Sequence, residues 1–178
     1  MEGRLSGERI LKLGFISGAV IFIMVTIIGL LMPGDIHVSR TININAPADS
    51  VINYANDLVK WKQWIEGADS AELKLLSPNS SGAGAKMRMG TYEVSITSSG
   101  KDSVAVLWKG DNSDPMTSVF YTGDDTVKHT SFVNWTFIQH IPWYPWERLS
   151  SIMNDKIIGT PMELSLNNLK KVVEEGVR

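Results

Sequence analysis

Hydrophobic and polar residues are arranged in three different patterns along this chain, and each pattern predicts a different element. Residues 13–32 contain no charged side chain, which is typical of a membrane-spanning helix. Residues 36–44 alternate between apolar and polar side chains, the period of a half-buried strand. Residues 160–175 place apolar side chains at steps of three and four, the period of an amphipathic helix. An apolar helix, strands and a closing amphipathic helix are therefore expected in that order.

The closing amphipathic segment is predicted to be the helix around which the strands curl. Thr160 and Glu163 have the spacing of a capping box, and Pro161 stands at the first helical position, where its missing N–H costs nothing. The apolar face of this helix consists of Met162, Leu166, Leu169 and Val173. Gly176 is expected to end the helix.

Turn residues divide the middle of the chain into a meander of short strands. After a first strand at Ile36–Ile44, we expect strands at Ala71–Leu76, Lys86–Met89, Tyr92–Thr97, Val104–Lys109, Thr117–Tyr121 and Val127–Phe137. The connections, such as the turn predicted at Gly123–Asp125, are short enough for hairpins, so the sheet should be antiparallel. The predicted fold class is α+β, with about seven antiparallel strands wrapped round a long C-terminal helix and one transmembrane helix before them.

A helix is predicted directly after Pro47, and a short helical segment follows it. The inner face of the first helix consists of Val51, Tyr54, Ala55 and Leu58. Trp61 and Trp64 lie three residues apart on the second segment, so they share one side of it. They could form one wall of an apolar pocket, or they could fill the interior where the helices cross the sheet. The spacing leaves both interpretations open.

The segment 140–148 carries the chain out of the sheet, held extended by its two prolines. Its side chains Trp143, Tyr144 and Trp146 suit a membrane interface, where amphipathic rings are favoured. They also suit a position over the end of the sheet, which is the favoured interpretation because aromatic side chains so often serve as core. A helix is expected over about Trp146–Ile158, ended by Gly159 before the closing helix.

The uncharged segment Leu13–Met32 spans about 30 Å as a helix, the thickness of a bilayer core. A cleaved secretory signal has a shorter apolar core and a small-residue cleavage site, which residues 31–35 do not offer. A buried helix that is apolar on all sides is hard to cover in so small a domain. We therefore expect an N-terminal stretch (1–12), an uncleaved anchor (13–32), a hinge (33–35) and a folded domain (36–176).

The basic residues predict the orientation of this anchor. Arg4, Arg9 and Lys12 precede the apolar segment, and only Arg40 follows it at a comparable distance. The positive-inside tendency therefore keeps the N-terminus in the cytoplasm and places the domain on the extracytoplasmic side. Gly14 and Gly18 form a small-xxx-small pair, which allows a homo-oligomer through the anchor.

Arg40 interrupts the apolar face of the first strand and has two interpretations. It could be a cation inside a cavity that receives an acidic ligand. The favoured interpretation is that it lies near the end of the strand and that its long side chain reaches water, because unpaired buried arginine is scarce.

Composition narrows the classes of function. The chain has 178 residues, 43% hydrophobic and 20% charged, which suits one domain with an appendage. The absence of cysteine excludes disulfides, thiol nucleophiles and thiolate metal sites. A net charge of −2 argues against nucleic acid as a partner. His37, His129 and His140 are too far apart for a helical metal pair, and no serine nucleophile motif is present, so neither a metal nor a cofactor is expected.

Several short motifs, in their order, resemble the SRPBCC superfamily, and more narrowly its polyketide cyclase/dehydrase-like bacterial members with a START-like helix-grip fold. They are TININAPADSV at Thr41–Val51, the segment Asp57…Trp61…Trp64, the turn Gly82–Gly84, the strand Ser131–Trp135, and Pro145…Arg148 leading to Ile158-Gly159…Leu166…Glu174. The match covers about residues 36–175. It implies a sheet that grips a long helix and encloses an apolar cavity, in a bacterial protein. Met87 and Met89 depart from the family pattern, which tends to place a tryptophan there, and a transmembrane anchor is not part of the basic fold.

The resemblance implies that the cavity receives a hydrophobic small molecule or lipid, beside the membrane that holds the anchor. The side chains expected to line it are Arg40, Tyr54, Trp61, Trp64, Met87, Met89, Tyr92, Trp108, Tyr121, Trp135, Met153, Met162 and Leu166. One alternative is a cyclase- or hydrolase-like enzyme that uses polar cavity groups, with first suspects Arg40, Tyr54, Tyr92, Tyr121 and His129. Another is a non-catalytic interaction domain whose interior is filled by its own side chains.

Overall fold

The computed structural model describes residues 7–31, 33–125, 130–142, 144–150 and 153–176, and for Pro145, Leu149, Ser150 and Asn154 it describes the backbone alone. The chain divides into two compact units. The first unit comprises residues 1–34 and 141–152, and we call it the anchor unit after the membrane anchor that the sequence predicts there. The sheet unit comprises residues 35–140 and 153–178.

The sheet unit is built on a seven-stranded sheet with the strand order β1-β7-β6-β5-β4-β3-β2. The strands are β1 Asp35–Ile44, β2 Leu73–Leu75, β3 Lys86–Met89, β4 Tyr92–Ser99, β5 Ser103–Gly110, β6 Met116–Asp125 and β7 Thr130–His140. All neighbouring pairs are antiparallel, because β2 to β7 follow one another as a meander and β1 pairs with β7. The predicted fold class and the antiparallel pairing are confirmed.

Strand β6 runs further than the sequence predicts, and the turn predicted at Gly123–Asp125 is wrong. Gly123 pairs with Phe132 of β7. A β-carbon on residue 123 would stand 2.6 Å from the ring of Phe132, so glycine is what lets this ring lie against the strand. The Asp124 carboxylate accepts a hydrogen bond from Ala48 N at 2.7 Å. The glycine and the aspartate, which look like turn residues, therefore serve contacts within the sheet unit.

Two short helical segments follow β1, as predicted. Helix α2 spans Ala48–Ala55, and a 3₁₀ turn spans Leu58–Gln63. The Asp57 carboxylate caps the turn by accepting a hydrogen bond from Val59 N at 3.2 Å. The inward side chains of both segments are buried, and this packing holds the two segments against the sheet.

The long helix α4 spans Asn154–Gly176 without the break that the sequence predicts at Gly159. The capping box predicted at Thr160 and Glu163 is wrong, because Pro161 lies inside the helix. A proline there removes one backbone hydrogen bond. The helix continues through it because the apolar face beyond the proline is fully buried: Met162, Leu166, Leu169 and Val173 are each at most 2% exposed.

The anchor unit contains α1, Gly7–Leu31, and a short helix α3, Pro145–Ser150. Among the described residues, α1 alone has the length and composition to cross a membrane, and its most apolar window has a mean hydropathy of 2.5 with 6% of it buried. It begins six residues before the span expected from the sequence. Tyr144 and Trp146 are 41% and 59% exposed, and the interpretation that they lie over the end of the sheet stays a prediction. Trp143 and the predicted strand start at Val127 lie outside the described residues.

Candidate functional site

A partly open cavity of about 430 Å3 lies in the sheet unit, between inward side chains of the strands and helix α4. The strands contribute Met89, Tyr92, Trp108, Met116, Trp135 and Phe137. Alternation along each strand places these side chains on one face of the sheet, which is why residues from five different strands meet. Its volume falls within the range of small-molecule sites.

The other walls come from the helix and from the segment after the 3₁₀ turn. Helix α4 contributes Ile157, Ile158, Pro161, Met162 and Ser165. The segment after the turn contributes Ile65, Glu66, Gly67, Ala68 and Ala71. Most of these side chains are apolar, so the cavity offers an apolar ligand dispersion contacts and little competition from bound water.

Packed aromatic rings keep one side of the cavity in place. Trp135 stacks on Phe120 with ring centroids 4.6 Å apart and contacts Phe137 at 5.1 Å. Trp108 stacks on Trp61 at 5.3 Å. Rings that support one another in this way cannot rotate into the empty space without losing several favourable contacts at once. The cavity is therefore formed by the fold before any ligand arrives.

Three methionines, Met89, Met116 and Met162, line the same space. Their unbranched side chains adopt several shapes at low cost and offer a polarizable sulfur to rings and alkyl chains. Together with the rigid aromatic wall, they give a cavity with one fixed side and one adaptable side. Such a site tolerates apolar ligands of differing shape.

The polar groups of the cavity are few, and two of them are already satisfied. Ser165 Oγ donates to Pro161 O at 2.7 Å and accepts from Glu66 N at 2.9 Å. Trp108 Nε1 donates to Ser118 Oγ at 2.9 Å. Trp135 Nε1, in contrast, is buried without an acceptor among the described residues. Because this nitrogen has almost no accessible surface, it belongs to the packed interior behind the cavity wall.

Five of the thirteen residues expected at the site do line this cavity: Met89, Tyr92, Trp108, Trp135 and Met162. Four others, Trp61, Trp64, Met87 and Leu166, are buried at 2% exposure or less but do not reach it. Of the two interpretations of Trp61 and Trp64, the structure supports the one in which they fill the interior. Met87 lies two residues along β3 from Met89, which does line the cavity.

The remaining four expected residues lie away from the cavity. Tyr121 and Met153 are 48% and 57% exposed, and Tyr121 contacts Phe132. The Tyr54 ring lies under Lys60 Nζ at 5.1 Å. Arg40 does not line the cavity and instead binds two carboxylates of helix α4. His129, a suspect for catalysis, lies outside the described residues.

Arg40 holds helix α4 on both sides of its proline, and both interpretations made from the sequence are wrong for it. It is in the middle of β1 and on its inward face. Its Nε donates to Glu163 Oε1 at 2.6 Å, and its Nη1 donates to Asp155 Oδ1 at 3.0 Å. Its side chain is 24% exposed. The cation is thus neither free in a cavity nor extended into water, because two carboxylates of one helix neutralise it.

Hydrogen bonds to Asp155 and Glu163 raise the pKa of the Arg40 guanidinium above its ordinary value. A raised pKa in a basic group adds stability that is present at every pH below the ordinary value and is lost only above it. The charge on this side chain therefore persists throughout the range in which proteins fold. Arg40 is a constant clamp on α4 and not a pH switch.

Gly159 is where this clamp touches the helix backbone. A β-carbon there would lie 2.2 Å from Arg40 Nη2. Alanine normally stabilises a helix by about 1 kcal/mol over glycine. In Gly159→Ala this gain should be reduced, because the guanidinium must shift from its place between the two carboxylates. In the Arg40→Met background the same substitution should stabilise by about 1 kcal/mol. Urea unfolding of the unmodified protein, the two single variants and the double variant measures the effect of Gly159→Ala on the free energy of unfolding in each background. Equal effects in both backgrounds would contradict the clamp.

Several lining residues were missed by the sequence analysis for identifiable reasons. Met116 was left out of the predicted strand, because β6 was expected to begin one residue later. Ile157 and Ile158 were assigned to a separate helix that ended at Gly159. Phe137 was seen to share a face with Trp135, and this alternation was signal enough to include it. Nothing in the sequence marks Ala68 and Ala71 as lining residues. An alanine contributes to a cavity wall by leaving space, and a hydrophobic pattern does not show this.

Catalytic or metal-binding clusters are not found in the part of the chain that the structure describes. No group of three histidine, aspartate or glutamate residues there could hold a metal ion. Of the suspects named for catalysis, Tyr92 alone is in the cavity wall. What this arrangement does offer is a largely apolar volume.

No family model and no curated protein matches the chain. Solved structures do match it. A protein from Nitrosospira multiformis is 14% identical, with a TM-score of 0.63 over 80% of this chain and 100% of that one. A START superfamily protein from Mycobacterium smegmatis is 14% identical, with a TM-score of 0.60 over 78% and 97%. CalU16 from Micromonospora echinospora is 12% identical, with a TM-score of 0.58 over 77% and 73%.

These similarities concern the fold alone, and they confirm the helix-grip architecture expected from the sequence motifs. A seven-stranded antiparallel sheet with one long C-terminal helix is what the chain shares with the START superfamily structure. A fold hosts many functions, so the assignment of an activity has to come from the site itself.

Proposed function

We propose that this chain is a membrane-anchored domain that binds a hydrophobic small molecule or lipid in its internal cavity. The observation that carries the proposal is the apolar space of about 430 Å3, held open by stacked rings, beneath the long helix. Helix α1 would keep this domain beside a bilayer, from which an apolar ligand can be taken up.

Transfer of an apolar ligand from water into this cavity is favourable, because it removes apolar surface from water. A ligand that loses about 250 Å2 of apolar surface to the cavity gains about 6 kcal/mol, before the cost of association is subtracted. The net affinity from water would be moderate. An anchor compensates for this because it raises the local concentration of the domain at the lipid surface.

The test uses a substitution that fills the cavity. Ala71 lines the cavity and is only partly buried, so Ala71→Trp should place a large ring in the space without a severe folding penalty. We expect at least tenfold weaker binding of a fluorescent fatty-acid probe by the full-length protein in nanodiscs, equivalent to about 1.4 kcal/mol. Native mass spectrometry of the same samples would identify ligand that is carried through purification.

Ala83→Trp is the matched control, because Ala83 is exposed in the loop before β3 and does not line the cavity. It should bind the probe like the unmodified protein. Equal binding by both variants would contradict a ligand site at this cavity. Failure of the unmodified protein to bind any apolar probe would favour an interaction domain with an unused interior.

A further inference from the structure

We propose that residues 141–148 form an interfacial collar, a second membrane contact that lies in the boundary between lipid and water beside the C-terminal end of α1. This rests on the proposed function, in that α1 is taken to span the bilayer. The collar is argued from three observations within the anchor unit: a side-chain contact that fixes its depth, a backbone contact beyond the helix end, and exposed aromatic rings.

The side-chain contact fixes the depth of the collar. Arg148 Nη1 donates a hydrogen bond to Gly29 O at 2.8 Å. Gly29 is in the last turn of α1, whose carbonyl groups lack partners within the helix, and a cation there is also favoured by the helix dipole. The uncharged segment ends at Met32, three residues later, which is about 4.5 Å along a helix axis. Arg148 is therefore held at the level where the hydrocarbon core meets the headgroups.

The backbone contact ties the other end of the collar just outside that level. Ile141 N donates to Gly34 O at 2.7 Å, two residues beyond the end of the uncharged segment. Arg148 Nε also donates to Pro142 O at 3.3 Å, so the two ends of the collar are bound to each other. The segment thus straddles the end of α1, with one contact inside the apolar length and one outside it.

The exposed rings identify the partner as lipid. Tyr144 and Trp146 are 41% and 59% exposed, and they stack on each other with centroids 5.4 Å apart. Tyrosine and tryptophan are the side chains that membrane interfaces favour, because each has an apolar body and a polar tip. The last turns of α1 are exposed as well, with Leu30 at 58% and Leu31 at 81%. The aromatic pair therefore continues an apolar surface that already requires lipid around it.

The collar also changes how the hinge after α1 should behave. A single Pro33-Gly34 link would leave the chain beyond it free to swing. Because Arg148 binds Gly29 before this link and Ile141 binds Gly34 at its end, the chain that returns from β7 is fastened to the last turn of α1 and to the link itself. The bilayer would then hold the protein at a helix and at a collar, and not by a helix alone.

The experiment measures depth with spin labels on the full-length protein in phosphatidylcholine–phosphatidylglycerol vesicles. The chain has no cysteine, so each introduced cysteine carries the only label. Glu147→Cys reports the collar, Phe22→Cys reports the middle of α1, and Glu175→Cys reports an exposed position on α4. The ratio of accessibility to oxygen over a water-soluble nickel complex rises with depth. We expect it to be highest at position 22, intermediate at 147 and lowest at 175.

Two outcomes separate failure of the collar from failure of the anchor. A lipid-like ratio at position 22 with equal, water-like ratios at 147 and 175 would overturn the collar and leave the anchor intact. A water-like ratio at position 22 would overturn both. If the collar is right, Tyr144→Ser with Trp146→Ser should lower the ratio at 147 several-fold. Tyr121→Ser, which removes an exposed ring from the sheet unit, should leave it unchanged.

Discussion

Replacement of Trp61 by alanine is expected to destabilise the sheet unit by about 3–5 kcal/mol, a large share of the total stability of a small domain. Trp61 is fully buried and contacts the rings of Trp64, Trp108 and Phe120. Its Nε1 donates to Ala55 O at 3.0 Å, so the truncation also leaves a buried carbonyl without its partner. Urea unfolding followed by circular dichroism of the full-length protein measures the loss.

The neighbouring tryptophan provides the control for this prediction. Trp64 is equally buried, but its Nε1 has no partner among the described residues. Trp64→Phe should therefore cost less than Trp61→Phe, because the first gives up no hydrogen bond and the second gives up one. The expected difference is about 1 kcal/mol. If Trp64→Phe were the more damaging of the two, the contact between Trp61 and Ala55 would not have the role assigned here.

Local patterns in the sequence were sufficient for most of the fold. Strands β1 and β3 to β5 were predicted to within two residues at each end, because their side chains alternate strictly and their connections contain turn residues. The apolar face of α4 was predicted for the same reason. These features depend on near neighbours along the chain, which a single sequence displays.

The misassigned elements depend on contacts between distant residues. Gly159 and Pro161 form a helix break by every local rule, yet α4 continues because its apolar face beyond them is buried. Arg40, more than a hundred residues earlier, adds ion pairs to carboxylates on both sides of them. Gly123 and Asp124 form a turn by the same rules, yet Phe132 and Ala48 hold them in β6. Pairing across the chain outweighed local preference at both places.

The candidate site was predictable only in part, for a geometric reason. The alternation of side chains states which face of a strand is inward, and this placed Met89, Tyr92, Trp108 and Trp135 correctly on that face. The sequence pattern does not predict at which residue of helix α4 the packed interior ends and the cavity begins. Leu166 and Met162 are one turn apart on the same face of α4, and of the two only Met162 lines the space.

If α1 anchors the protein as proposed, two aspartates in the centre of α1 are expected to release it from the membrane. An aspartate at the centre of a spanning helix costs about 2.5–3.5 kcal/mol, while phenylalanine and isoleucine each favour insertion by about 0.3–0.6 kcal/mol. Phe22→Asp with Ile23→Asp should therefore shift insertion by about 6–8 kcal/mol, which is enough to reverse it. Extraction of cell membranes with alkaline carbonate would then find the variant in the soluble fraction and the unmodified protein in the pellet.

A control with the same two charges at the start of α1 tests whether their position in the helix matters. Ile10→Asp with Leu11→Asp adds the same charges to α1, but before Lys12 and outside the uncharged segment, so this variant should remain in the pellet. The intact mass of the unmodified protein decides between an anchor and a cleaved signal, since removal of α1 would shorten the chain by about thirty residues. An unmodified protein that is already soluble, or a central variant that stays in the pellet, would contradict the anchor, and the collar would lose its premise with it.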